Sequence, residues 1–372
     1  MSDTRVPLSV LDLVPVSSGS DSREALRNSI DLAQRAEALG YSRYWLAEHH
    51  LNPGNAGSAS LAFCAVLAGA TRTIRLGTAA TLLGQWAPLQ IAEAAGLVAT
   101  LYDGRMDLGL GRTLTPPPPP APGSPAVERP TPPPASTVDG LLLPSPVAGD
   151  PRRGRFGLLA ELVLRRPETA FEDGVTTILR QLDGTFTDAE GDPVPVLPAV
   201  GSGAAVWVHG SSGGESARVA GRLGLPFGAN YHTTPWSVLD AVAAYRAAFR
   251  PGRIAEPRVI VSADVLVADT EAEAERIGRG FDRWVLSVRA GNGTIEYPAP
   301  DDAVPLTPAE QAQVQDRVAT RFVGDPARVV ERLETLQRVT GADEILLTTS
   351  THAHADRVRS YELLAEAWGV TA

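Results

Sequence analysis

Segments of strand character alternate with segments of helical periodicity along this chain, and the alternation repeats eight times. Strands are expected over Leu8–Val14, over Arg43–Ala47 running into Glu48-His49-His50, and over Ile74–Leu83. Met106–Arg112, Ala204–His209, Pro226–Asn230, Val259–Val267 and Glu344–Thr349 complete the set. Helical spacing fills the intervals: Ser20–Gly40, Ser58–Ala70, Pro88–Leu101, Phe156–Leu182, a helix ending at Leu223, and Trp236–Phe249. Glu271–Arg289, Ala309–Thr320, Pro326–Thr340 and Ala355–Trp368 follow. A strand that must cross a helix before the next strand returns parallel to it. Eight such units predict an α/β protein, a single (β/α)8 TIM barrel spanning residues 1–372.

Two stretches interrupt the pattern. Residues 113–150 carry Pro116 to Pro120 and Pro132 to Pro134, which favour polyproline or irregular chain over strand or helix. This insertion follows the fourth strand, at the end of a barrel where chemistry sits, and is positioned to cover a substrate mouth. After the seventh strand and its helix, Gly291-Asn292-Gly293 and the proline-bearing segment to Pro308 read as a mobile lid loop.

Composition narrows the function. A formal charge of -10, spread along the chain, disfavours nucleic acid and anionic membrane surfaces as partners. The single cysteine, Cys64, cannot form an internal disulfide and lies in an apolar run, so a core position in a reducing compartment is expected. Met1 to Pro7 lacks the basic and apolar regions of a signal peptide, and no apolar run approaches the roughly 20 residues of a membrane span. A cytoplasmic globular protein is the expectation.

The chemistry concentrates where strands end. Tyr44-Trp45-Leu46-Ala47 leads a buried strand directly into Glu48, His49 and His50, a carboxylate and two groups that exchange protons near neutrality. Gly210-Ser211-Ser212-Gly213-Gly214-Glu215-Ser216 joins a strand to a helix, and its amides suit an anion. Arg112, closing the fourth strand, offers a fork of donors to the same anion or else a surface salt bridge. His209 reads as the last residue of its strand, with its ring buried. His352 and His354 lack metal-binding spacing, and no zinc-type carboxylate-histidine motif is present, so no metal site is expected. Trp45, Trp86, Trp207 and Tyr231 suit a pocket wall and a core equally.

Four motifs occur in order: Tyr44 to His50, Ile74-Arg75-Leu76-Gly77-Thr78-Ala79-Ala80, Gly104 to Arg112, and Gly224-Leu225-Pro226. Together they resemble the bacterial-luciferase-like flavin monooxygenases. The resemblance implies reduced FMN bound at the C-terminal ends of the barrel strands. It implies His49 as the acid-base group, oriented by Glu48 or His50, and a non-proline cis peptide at Ala79-Ala80 against the flavin. It implies Arg112 on the FMN phosphate, with Gly210, Ser211, Gly213, Gly214 and Ser216 forming the phosphate turn. No second nucleotide fingerprint is visible, so a separate flavin reductase is expected to deliver the reduced FMN. Dioxygen would then oxygenate a small-molecule substrate through a flavin hydroperoxide. A homodimer is implied as well. A deazaflavin-dependent reductase or dehydrogenase, and a non-catalytic flavin-binding protein, are the alternatives on this barrel. The proline tract has no counterpart in the family pattern.

Overall fold

The computed structural model describes residues 5–112, 132–147, 170–291 and 293–370. Eight parallel strands close on themselves: β1 (Leu8–Asp12), β2 (Arg43–Leu46), β3 (Arg75–Thr78), β4 (Met106–Arg112), β5 (Ala205–Gly210), β6 (Phe227–Asn230), β7 (Val259–Val267) and β8 (Glu344–Thr348). Each pairs with the next, and β8 returns to β1 with Leu8 opposite Ile345. The closed parallel barrel with outer helices is a (β/α)8 fold.

Local chemistry sets the element boundaries. Asp21 accepts from the Glu24 amide and starts the helix Ser22–Ala38. Asp325 caps Pro326–Thr340 in the same way, with proline at the first helical position and left-handed Gly341 closing the end. β7, Val-Ile-Val-Ser-Ala-Asp-Val-Leu-Val, is buried along its whole length, as a strand covered on both faces must be.

Alternation along each strand sends every second side chain into the barrel. At the N-terminal end these are charged. Glu344 accepts from Ser9 at 2.5 Å and pairs with Arg43 and with Arg258 at 3.1 Å, while Asp107 holds Arg43 at 2.9 Å and Arg75 at 2.8 Å. Trp45 and Trp207 lie above them edge to face, with centroids 5.5 Å apart. The Arg43 and Arg258 guanidiniums sit 5.3 and 5.5 Å from the Trp207 ring. This plug occupies the lower barrel, below the cleft at the C-terminal ends of the strands.

Several expectations need correction. The helix expected over Glu271–Arg289 is two, Glu271–Ile277 and Phe281–Arg289, broken where Gly280 takes φ +88°. Ala309–Thr320 likewise divides into Pro308–Ala312 and Gln315–Thr320. A short strand, Phe322–Gly324, pairs with the outer end of β7. Inside the proline-rich insertion, Ser136–Val138 and Leu141–Leu143 form an antiparallel hairpin. Its turn is Asp139-Gly140, both at positive φ, an Asp-Gly hairpin signal outweighed in the sequence by the surrounding prolines. The hairpin is held by Tyr231, whose hydroxyl donates to the Leu142 carbonyl at 2.9 Å, and by Arg338, which donates to the Asp139 carbonyl. Residues 113–131 and 148–169, including the start of the helix expected at Phe156 and most of the insertion expected over the mouth, lie outside the described residues.

The lid segment is fastened rather than free. Thr294 pairs with Asn52 and Asn55, Gly54 donates to the Thr294 carbonyl at 2.8 Å, and Tyr297 exchanges backbone hydrogen bonds with Val16 and Ser18. The Tyr297 side chain is fully buried. The reason is the polar loop after His50, whose two asparagines hold the segment. No helix among the described residues is long and apolar enough to cross a membrane.

Candidate active site

A cleft of about 230 Å³ opens at the C-terminal ends of the strands. One wall is Ala79 and Ala80, joined by a cis peptide bond as the resemblance implies. Gly111 lies behind Ala80, where an added Cβ would stand 2.9 Å from the alanine methyl. Leu11, Ile260 and Leu346 make an apolar floor, and His209 completes it.

His209 occupies space that two glycines vacate. A Cβ on Gly228 would fall onto the imidazole, and one on Gly109 would stand 2.7 Å from its Nε2. Trp45 meets the ring edge to face at 5.2 Å. Burial lowers the His209 pKa to about 4, and Nε2 has no hydrogen-bond partner. The ring is therefore neutral at pH 7. The reading of His209 as a buried strand end is half of the answer, because it also faces the cleft.

Beyond β5, the turn Gly210 to Ser216 forms the far end of the cleft with Arg112. Gly213 is required by close approach: a Cβ there would lie 2.9 Å from the Asp240 carbonyl. Arg112 is half-exposed and pairs with Glu215 at 2.6 Å. Both alternatives for Arg112 thus meet at one place, a salt bridge beside the glycine-serine turn. Backbone amides at the start of the helix Glu215–Arg222, the Ser211, Ser212 and Ser216 hydroxyls and one guanidinium are the donor set that a phosphate takes. The Glu215 carboxylate is the one group there that opposes an anion.

Glu48, His49 and His50 follow β2 and are not among the residues that line the cleft, but His49 lies close enough to the lining residue His232 to act on its charge. Residue parity along β2 turns Arg43, Trp45 and His49 toward the barrel and Glu48 to the outside. Glu48 is buried there, accepting from Trp86 at 2.9 Å and from Ser60 at 3.3 Å, and pairing with His50 at 3.0 Å. The carboxylate therefore orients His50, not His49, which corrects the expected arrangement. The His49 amide donates to the Gly57 carbonyl, while its Nδ1 is buried without a partner. Burial first, then the neighbouring His50, lowers its pKa to about 4. Trp86 thus supports Glu48, Trp45 and Trp207 are core, and Tyr231 holds the hairpin.

Sequence reading passed over Asn230, His232 and Ser262, which also line the cleft. His232 Nδ1 lies 2.7 Å from the Ser262 hydroxyl, and burial, Arg317 and His49 lower its pKa to about 3. The signal was present, since counting by two from Gly228 through Asn230 reaches His232. Elsewhere Cys64 is core, its thiol pushed up to about 12 by burial. His352 contacts the Ser18 carbonyl and His354 pairs with Asp31. No cluster of metal-ligating side chains occurs among the described residues.

A (β/α)8 barrel with a glycine-serine turn rich in donors, an apolar wall and uncharged imidazoles at one mouth has the architecture of an enzyme of this fold. The family model described as luciferase-like monooxygenase matches residues 6–126 and 149–344. A luciferase-like monooxygenase of Escherichia coli K12 is 34% identical over 366 residues, covering 98% of this chain and 97% of the relative. Among solved structures, apo-MsnO8 superposes with TM-score 0.76 at 31% identity, covering 99% of both chains. The oxygenating constituent of 3,6-diketocamphane monooxygenase from Pseudomonas putida, in complex with FMN, gives TM-score 0.65 at 18% identity over 97% of both chains. The chain belongs to the luciferase-like monooxygenase family.

Proposed function

We propose that this enzyme binds reduced FMN, delivered by a separate flavin reductase, and uses it with dioxygen to oxygenate a small organic substrate. The observation that carries the reading is one cleft lined by a phosphate-type donor set, by the Ala79-Ala80 cis peptide and by the His209 and His232 imidazoles. Arg112, Ser211, Gly213, Gly214 and Ser216 would hold the phosphate, Gly210 giving the turn its start, and Ala79-Ala80 would lie against the ring. Reduced FMN supplies the electrons that activate dioxygen.

The chain contributes proton control and exclusion of water. His49, uncharged at pH 7 with Nδ1 unpartnered, can accept a proton there and return it. Glu48 fixes His50 behind it, and the segment fastened by Thr294 shields that side from solvent. Two neighbouring surface helices support a homodimer. Ser60–Ala70 has no charged residue and Pro88–Leu101 only Glu93, yet Val66, Leu89, Leu97 and Leu101 are exposed on them. A single cysteine, Cys64, buried in the core, supports a cytoplasmic site of action.

The test is anaerobic titration with reduced FMN and with a reduced deazaflavin, followed by admission of labelled dioxygen with candidate substrates. Tighter binding of FMN and label in the product are expected, with turnover falling about 10²–10⁴-fold in His49→Ala. Preference for the deazaflavin together with turnover in the absence of dioxygen would replace oxygenation by hydride transfer.

A further inference from the structure

The inward positions of β7 climb the cleft wall in steps of two. Ile260 and Ser262 face the cleft, and Asp264 stands one step, about 6.6 Å, nearer the rim. Around Asp264 gather three arginines and one further carboxylate, all buried or nearly so. Arg289 forms a two-pronged pair with Asp316, both contacts at 2.7 Å. Arg321 donates to Asp264 at 3.0 Å and to the Ser350 carbonyl at 2.9 Å, with its guanidinium 4.1 Å from the Phe281 ring centroid.

Arg317 is different. It is only 8% exposed, and its guanidinium makes no hydrogen bond among the described residues. Its nearest carboxylate oxygen, Asp264 Oδ2, is 4.0 Å away, while the other oxygen of that carboxylate accepts from Arg321 at 3.0 Å. Its Nε is buried with no partner. Arg289, Arg317 and Arg321 against Asp264 and Asp316 leave one positive charge uncompensated. A buried guanidinium left with one distant carboxylate and the Phe281 ring, whose centroid is 5.9 Å away, carries a desolvation cost of several kcal/mol that a ligand would offset.

The unused hydrogen-bonding capacity nearby also favours an acceptor. Trp284, stacked on the same Phe281 ring, has a buried Nε1 that can only donate and has no partner. Thr348, directly across the strand pair from Asp264, has a buried hydroxyl with none. His232, on the cleft side, lies within the field of Arg317.

We propose that Arg317 anchors an anion subsite at the rim of the cleft, and that the substrate oxygenated here carries a carboxylate which this guanidinium receives. The subsite lies at β7, two strands round the barrel from the turn after β5 that would take the cofactor phosphate, so it is assigned to the substrate rather than the cofactor. The substrate assignment rests on the monooxygenase reading above, whereas the existence of the subsite does not.

Calorimetric titration with benzoate and its neutral isostere benzamide tests it, on flavin-free protein with saturating inorganic phosphate to fill the Gly210–Ser216 turn. Benzoate is expected to bind at least about tenfold more tightly than benzamide. Arg317→Gln should abolish that preference, and Asp264→Asn should tighten benzoate, because it removes the competing carboxylate. A merely structural role for Arg317 would not give changes of opposite sign in the two variants. Absence of a benzoate preference in the native protein, or its survival in Arg317→Gln, overturns the proposal. Should Arg317→Gln fail to fold, the native comparison together with Asp264→Asn decides, weaker or unchanged benzoate binding in the latter overturning it. Because no flavin is present, failure of FMN to bind in the separate titration would overturn the function and leave this result standing.

Discussion

Gly228→Ala tests whether the His209 ring fixes the floor of the cleft. Gly228 does not adopt a positive φ, so alanine is compatible with its backbone, and a strand position would ordinarily gain from the change. Here the new methyl falls onto the imidazole. Gly109 of β4 and the Trp45 indole close two other sides, so the ring can yield only toward the cleft that it lines. Overpacking of this kind costs about 1–3 kcal/mol. For a chain of 372 residues the unfolding entropy is roughly 0.8 kcal/mol/K, which gives a fall in Tm of about 1–4 °C. The decisive assay is a double-mutant cycle with His209→Ala, followed by thermal and urea unfolding. With the ring removed, the alanine methyl should fill space instead of competing for it, giving a coupling of about 1 kcal/mol or more. An equal cost of Gly228→Ala in both backgrounds would refute the reasoning.

Three further outcomes are expected. His49, His209 and His232 have folded pKa values of about 4, 4 and 3, below their unfolded value of roughly 6.5, so the unfolded chain takes up protons first as pH falls. Their stabilising contribution is full above that unfolded value and is lost toward pH 4; urea midpoints should drop through this window, and His232→Gln should reduce the slope by about one proton. Glu344→Ala removes the carboxylate shared by Ser9, Arg43 and Arg258, leaving buried charge uncompensated at a cost of about 3–5 kcal/mol in urea unfolding. Arg112→Met should weaken FMN binding about tenfold or more, while Glu215→Gln should strengthen it, because the carboxylate now paired with Arg112 competes with a phosphate; fluorescence titration reads both.

The barrel itself was legible from local pattern. β7 announces itself by nine consecutive buried positions rich in valine, and Pro326–Thr340 by its aspartate cap, leading proline and closing glycine. These are properties of neighbouring residues, which a sequence displays directly. The Glu48-His49-His50 run and the Gly210–Ser216 turn were visible for the same reason, since each is contiguous. Breaks inside the helix after β7 were not, because a charged helical pattern continues across Gly278 and Gly280 and only the tertiary turn selects left-handed backbone at Gly280. The Asp139-Gly140 hairpin was hidden by its prolines, and it packs only because Tyr231 and Arg338 reach it from distant elements.

What the chain determined by itself was its alternation, its caps and the chemical groups carried at each strand end. Which of those groups meet was decided by closure of the barrel. Closure brings Gly109 and Gly228 to either side of His209, turns Glu48 away from His49, and sets His232 against Ser262. It also gathers Arg289, Arg317 and Arg321 around two carboxylates from separate segments. Strand parity can be counted along a sequence, but the register between strands fixes the contacts across the mouth, and that register exists only once the last strand has paired with the first.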